Sequence, residues 1–338
     1  MKQERLIFII GAPRSGTTLL QRMLGSHSQI YTHPEPHLLT PLAYLGYYDT
    51  VERAPFDHVN AAQAFKEFAQ ELPRGEADYL DALRAYANTL YGRVLAPSGR
   101  AYFLDKTPAY ALVLPFIARL YPQAHYLVIT RHPLAIRHSV AHSFFAGDYQ
   151  AADVANPILR RYVPAIADFL RRPTAAAPAR VHVRYEDLVA EPAVQMRRLL
   201  GHIGLPFEAQ TLEYGRQQHI AKSYGDPVGV KKHLRPVTDS VATWAQDLRS
   251  QPAARALAGE QVAALADADL VAWGYPRAHL LAALEAEGTP ARPTRRPRLD
   301  AYQVKRRLLL QLRRHSQGRR VRQLVRQLRH VCDLLLRD

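Results

Sequence analysis

The sequence predicts an α/β fold: a parallel sheet between two helical layers, three layers in all, followed by a basic helical C-terminal extension. Three observations carry this expectation. Short apolar runs alternate with stretches of helical spacing, the pattern of strand–helix–strand units. Each of four apolar runs ends in a polar cluster: Arg14 and Ser15, Lys106 and Thr107, Arg131, and Tyr185 with Glu186. Ligands of such sheets collect outside the strand carboxyl ends, so these clusters are expected to converge. The third observation is charge. Residues 289–338 hold 15 Arg and Lys against 3 Asp, a net of +12, which leaves +3 of the chain's +15 for the first 288 residues. The high isoelectric point therefore belongs to the tail and does not make the whole chain a nucleic-acid binder.

Taken in order, 6–10 is an apolar strand and 17–26 a helix, with Leu19, Leu20, Met23 and Leu24 on one face. Residues 27–50, rich in His, Pro and Tyr and without a period, read as a loop over the sheet edge. Helical spacing runs through 59–95 (Phe65, Phe68, Leu72, Tyr79, Leu83, Tyr86, Leu90), a strand follows at 101–104 and a helix at 112–120. The strongest buried-strand signal is 126–130, within HYLVIT; Arg131-His132-Pro133 and a helix through His142 come next. Residues 157–171 read as helix, 173–178 as a linker-like loop and 181–183 as a short strand. The compact domain is expected over 1–276, with a linker at 277–299 and a helical tail at 300–338.

The loop GAPRSGTT joins the first strand to the first helix. Gly11 and Gly16 bracket backbone N–H groups that can cradle phosphate at a helix N-terminus. This makes the expected sheet one of the P-loop type. The ATP-binding form of the loop continues Gly-Lys-Ser/Thr. Here Thr17 stands where that lysine belongs, and the cation has moved back to Arg14. At the end of HYLVIT, where a magnesium-dependent phosphotransferase carries Asp, this chain has Arg131. An arginine there repels a cation and suits a second phosphate, with Ser139 two helical turns on. Cradle and arginine together suggest an anionic donor other than a nucleoside triphosphate, and no metal is expected. His138 and His142 stand i,i+4 on one helix, but without an HExxH pattern or a nearby carboxylate cluster in the sequence they are not read as a metal pair.

With these residues in view, the chain resembles the sulfotransferases dependent on 3′-phosphoadenosine-5′-phosphosulfate (PAPS), closest to their bacterial and tyrosylprotein branch. The resemblance rests on GAPRSGTTLLQRML (11–24), TRHPLAIRHSVAHS (130–143), VRYEDLV (183–189) and GDPVGVKKHLRPVTDSVATW (225–244), in that order over roughly 1–276. It implies PAPS as co-substrate, with the 5′-phosphosulfate held by Arg14, Ser15, Gly16, Thr17 and Thr18. It further implies that Arg131 and Ser139 hold the 3′-phosphate and that Tyr185 lines the nucleoside pocket. The segment around Lys231–Arg235 would fold over the donor, with Arg235 as its phosphate contact.

The reaction so implied is in-line transfer of a sulfuryl group to an acceptor hydroxyl or amine. Arg14 and Lys106 would neutralise the charge that develops on the leaving phosphate. The resemblance also places Glu35, in His33-Pro34-Glu35-Pro36-His37, at the second glutamate of a Gly-Glu-Glu-Thr-Arg run, as the base. The run departs at Pro34 and at His37, which keeps His33 and His37 in view as alternative bases. Gly225 replaces a serine of the tyrosylprotein branch, and Ser223 is the nearest substitute. A small molecule, a saccharide, a lipid or a protein is the acceptor class.

Two other readings stay open on the residues alone: a P-loop kinase, against which Thr17 and Arg131 stand, and a lipid- or nucleic-acid-binding module with a vestigial nucleotide site. The tail reads as two basic helices, 302–312 and 321–336, broken at Gly318, and the second carries an apolar stripe (Val321, Leu324, Val325, Leu328, Val331, Cys332, Leu335) among arginines. That stripe suits docking on its own domain or on a second copy in a homodimer. An anionic membrane surface or an acidic partner would fit it too. A single cysteine, Cys332, excludes an internal disulfide; with no signal-peptide pattern and no long apolar stretch, a cytoplasmic location is expected.

Overall fold

A strand that is apolar at every position needs cover on both faces, and Leu6–Ile10 (β1) is wholly buried. In the computed structural model, which describes residues 1–42, 66–173, 178–216 and 233–285, β1 lies at the centre of a five-stranded sheet. Its companions are Ile30–Pro34 (β2), Tyr102–Lys106 (β3), His125–Thr130 (β4) and Arg180–Arg184 (β5). The order is β2-β3-β1-β4-β5, and every pairing is parallel. From β1 the chain first goes to one side for β2 and β3, then crosses to the other for β4 and β5. The carboxyl end of β1 is therefore the switch point, where such sheets open a crevice.

The alternation of side chains along the strands divides the core in two. Ile7, Ile9, Leu127, Ile129 and Val183 pack against Thr17–Gly25 (α1) and the helix Pro192–Ile203. Leu6, Phe8, Ile10, Tyr126 and Val128 face the larger layer, which includes Glu76–Leu95, Pro133–Phe144 (α2) and Ile158–Arg171. The Phe8 ring stands 5.3 Å from that of Tyr126 and 5.8 Å from that of Tyr121. This is the expected three-layer architecture.

Three expectations need correction. Residues 27–50 are not all loop, because Ile30–Pro34 forms the edge strand β2; residues 43–50 lie outside the described ones. The helix expected over 59–95 is interrupted: residues 66–70 are helical, a turn holds Pro73 and Gly75 (φ +55°), and Glu76–Leu95 resumes. Proline lacks the amide a continuing helix needs, and glycine takes the left-handed backbone of the turn. The expected linker from 277 opens as two short helices, Arg277–Leu280 and Ala282–Glu285, whose Leu280 and Leu284 join the core. The remainder of that linker and the tail 300–338 lie outside the described residues. No described helix is long and apolar enough to cross a membrane.

One fully buried carboxylate ties the sheet to the larger layer. Asp105, on β3, accepts hydrogen bonds from the Tyr91 hydroxyl (2.6 Å), the Thr107 hydroxyl (2.9 Å) and the Tyr110 hydroxyl (2.9 Å). Burial pushes its pKa up to about 6, and these hydrogen bonds hold it from rising further. The folded state thus binds the Asp105 proton more tightly than the unfolded chain. Stability from this group is present at low pH and lost as pH rises from about 4 through about 6. Relative to Asp105→Asn, the wild-type protein should lose about 3 kcal/mol between pH 4 and pH 7. Denaturant melts across that range would read it, and a constant difference would mean that Asp105 is ionised throughout.

Candidate functional site

The loop after β1 is shaped by two glycines that no other residue replaces without movement. A Cβ at Gly11 would stand 2.6 Å from Thr17 Cγ2 and 2.8 Å from the Ile129 carbonyl oxygen. At Gly16, φ is +96° and a Cβ would meet the Tyr185 ring at 2.4 Å. Gly16 also precedes α1 without a side-chain cap, so the first-turn amides have no partner from a capping residue. Gly16, Thr17, Thr18 and Leu19 line a cavity of about 510 Å³. Ser15, fully buried beside them, has a hydroxyl with no hydrogen-bond partner among the described residues.

Arg131, at the end of β4, forms the opposite wall. Its guanidinium donates to the Arg14 carbonyl (3.2 Å) and the Ser240 carbonyl (2.8 Å) and lies 4.3 Å from the Tyr185 ring centroid. Burial pulls its pKa below the usual arginine value, with Tyr185 and Glu186 opposing. Its Nε has no hydrogen-bond partner among the described residues. The backbone here is fixed from behind: Trp273 Nε1 donates to the Arg131 carbonyl (2.9 Å), and the His132 amide donates to Glu186 (3.2 Å). The His132 ring stacks on Trp244 at 4.2 Å, and burial takes its pKa down to about 4.

Arg14 adopts φ +71° and donates from Nε to the Ser139 hydroxyl on α2 (2.9 Å), spanning from the loop to that helix. Tyr185 begins the helix after β5, and its hydroxyl hydrogen-bonds that of Ser240 (2.7 Å). The structure therefore brings Arg14, Gly16, Thr17, Thr18, Arg131, Ser139 and Tyr185 to one cavity, with Ser15 fully buried in the loop between Arg14 and Gly16. Two buried polar atoms without partners, an uncapped helix start and two arginines fit a ligand carrying anionic groups at two separated points. The residues present thus suit a donor of the PAPS type.

Glu35 and Lys106 meet at the ends of β2 and β3, on the same sheet edge but outside the residues lining this cavity. Lys106, almost fully buried, donates to Glu35 Oε1 (2.5 Å); His37 Nε2 lies 3.8 Å from Oε2. Parallel pairing sets this up, because Pro34 stands opposite Lys106 and so delivers the next residue to it. Glu35 and His37 both take positive φ (29° and 52°), a conformation side-chain-bearing residues adopt at a cost of order 1–3 kcal/mol.

Arg235 is not brought to the cavity. Its guanidinium is exposed and paired with Glu213, while its neighbours His233 and Pro236 line the wall. Lys231, Ser223 and Gly225 lie outside the described residues. Sequence reasoning also passed over Ser240, Asp239 and Thr243, which close the cavity's far side. Their only signal was membership of the 225–244 segment. A carboxylate distant in sequence, Asp247, stands beside His138 and His142.

The model of the sulfotransferase family matches residues 6–209. Nodulation protein NoeE of Sinorhizobium fredii is 30% identical over 261 residues, 72% of this chain and 60% of NoeE. Protein-tyrosine sulfotransferase 1 of Danio rerio is 25% identical over 231 residues, 66% of this chain and 59% of that protein. The matched part of the chain thus spans about three fifths of these two relatives. Among solved structures, the sulfotransferase domain of the Synechococcus PCC 7002 olefin synthase is 21% identical, with a TM-score of 0.49, covering 71% of this chain and 86% of that one.

The contact of Gly16 with Tyr185 gives a stability test. Gly16→Ala carries both the positive φ and the clash with the ring, whereas Gly99→Ala, at φ +66° with nothing within 4 Å, carries the φ cost alone. Gly99→Ala should cost about 1–2 kcal/mol and Gly16→Ala distinctly more. Equal losses in thermal melts would mean that the loop does not press on Tyr185.

Proposed function

The chain belongs to the sulfotransferase family, and we propose on that premise that it moves a sulfuryl group from PAPS to an acceptor hydroxyl or amine. The observation that carries the reading is the cavity's pair of anion sites. One is the uncapped start of α1 with the free Ser15 hydroxyl; the other is buried Arg131, whose Nε has no partner among the described residues. A donor bearing a 5′-phosphosulfate and a 3′-phosphate meets both.

In the proposed assignment Ser15, Gly16, Thr17 and Thr18 take the 5′ end, and Arg131 with Ser139 takes the 3′-phosphate. Tyr185 covers the nucleoside. Arg14 lies between the two anion sites through its bond to Ser139. Arg235 would join only by leaving Glu213. As the acceptor oxygen bonds to sulfur, the bond from sulfur to the 5′-phosphate oxygen breaks, and the leaving nucleotide keeps its electron pair. The acceptor proton passes to Glu35. Catalysis of this kind is alignment plus neutralisation of charge on the departing phosphate, which Arg14 and Lys106 are suited to supply.

Calorimetry tests the donor. 3′-Phosphoadenosine-5′-phosphate should bind without magnesium, and ATP with magnesium much more weakly; the reverse order would sink the reading. Arg131→Ala should weaken that binding by about 10- to 150-fold, the worth of a charge-assisted hydrogen-bond pair. Glu35→Gln should leave donor affinity intact while lowering transfer about 10²- to 10⁴-fold in a labelled-sulfate assay. Wild-type turnover in that variant would clear Glu35 of the role of base.

A further inference from the structure

We propose that His138, His142 and Asp247 form a site for a divalent transition-metal ion of the zinc class, set into the wall of the donor cavity. The two histidines are one turn apart on α2, and the carboxylate comes from the helix Thr243–Arg249. Their ligand atoms lie within 4.8 Å of one another. Asp247 Oδ2 is 3.5 Å from His138 Nε2 and 3.4 Å from His142 Nε2.

These separations are long for hydrogen bonds, which prefer about 2.7–3.2 Å. They match the edge of a tetrahedral zinc site, about 3.4 Å for metal–ligand bonds of about 2.1 Å. Tautomers point the same way. His142 Nδ1 lies 3.0 Å from the His138 carbonyl, which can only accept, so Nδ1 carries a proton and Nε2 is the nitrogen turned to Asp247. Backbone anchoring of the far ring nitrogen is how metal-binding histidines are usually oriented. The rings stack at 4.1 Å. Two imidazole nitrogens and a carboxylate oxygen thus converge. The Tyr149 hydroxyl donates to the same Oδ2 at 2.8 Å and so fixes where that oxygen stands.

His138 and His142 line the same cavity as Arg131 and Ser139. A three-ligand ion there keeps an open position, and on the proposed function above that position faces the donor's 3′-phosphate. The metal would then bind a phosphate oxygen, and its loss would loosen the donor without touching the sulfuryl end. This consequence rests on the donor reading; the site itself does not.

Cobalt(II) is the probe, because its visible absorption reports coordination and not turnover. The full-length chain should take up one Co²⁺ with an intense tetrahedral spectrum, displaced by Zn²⁺. His142→Ala and Asp247→Asn should each lower Co²⁺ affinity by more than about 100-fold, beyond the effect of outer partners. Tyr149→Phe, which keeps the packed ring, should lower it about tenfold. Folded variants that keep the spectrum would assign the metal elsewhere and overturn the proposal, as would absence of any tetrahedral band in the wild-type protein. Adding 3′-phosphoadenosine-5′-phosphate should shift the band. A band lost in the variants but indifferent to a nucleotide that calorimetry shows to be bound would refute the open position while leaving the sulfotransferase reading intact.

Discussion

The structure around the crevice depends on one buried cation, Arg131. A guanidinium out of water is costly unless its donors are met. Here two are met by carbonyls of Arg14 and Ser240, and the flat face lies on Tyr185. Each contact belongs to a different segment: the loop after β1, the stretch before Thr243–Arg249, and the start of the helix after β5. Arg131 thus gathers three walls that share no sequence neighbourhood. It does so with neutral partners, so its charge is still available to an anion. Solvation by carbonyls makes the fold tolerable, and incomplete neutralisation makes the site receptive.

Strain follows the same geography. Among the described non-glycine residues, positive φ occurs at Arg14, Glu35, His37 and Ala146. Three of these sit at the carboxyl ends of β1 and β2, where the chain must turn sharply off the sheet and still aim a charged side chain. The surrounding layers over-determine those turns: Trp273 and Glu186 brace Arg131 from behind, and Asp105 braces Lys106 through Tyr91, Thr107 and Tyr110. Rigid support of this kind lets unfavourable backbone persist at a site.

The sequence disclosed what is periodic or local and concealed what is assembled. Leu6–Ile10 and His125–Thr130 read as strands because burial on both faces leaves them apolar but for the terminal His125 and Thr130. Ile30–Pro34 did not: an edge strand needs less apolar surface, and Thr32, His33 and Pro34 read as loop. The glycine loop and Arg131 were legible because their chemistry is tied to short spacings. The pairing of Arg235 was not legible, because nothing local says that Glu213, 22 residues earlier, will hold it. Asp247 escaped for the same reason, standing more than a hundred positions from the histidines it faces. Charge is visible in a sequence; the partner that occupies it is set by tertiary contact.

The pairing of Lys106 with Glu35 bears on how the proposed transfer proceeds. The carboxylate proposed to take the acceptor proton is hydrogen-bonded to a nearly buried ammonium. Any carboxylate gains little by removing a proton from a free hydroxyl, and it becomes competent only once bonding to sulfur has acidified the acceptor oxygen. Proton transfer is then late in the proposed reaction, and the barrier lies in separating sulfur from the leaving phosphate. As the proton arrives, the carboxylate's charge disappears and its hold on Lys106 relaxes. The ammonium is thereby released as charge grows on the leaving group. In the proposed reaction one ion pair would thus couple the two halves, since neutralising Glu35 would free a cation for the phosphate that is becoming more anionic.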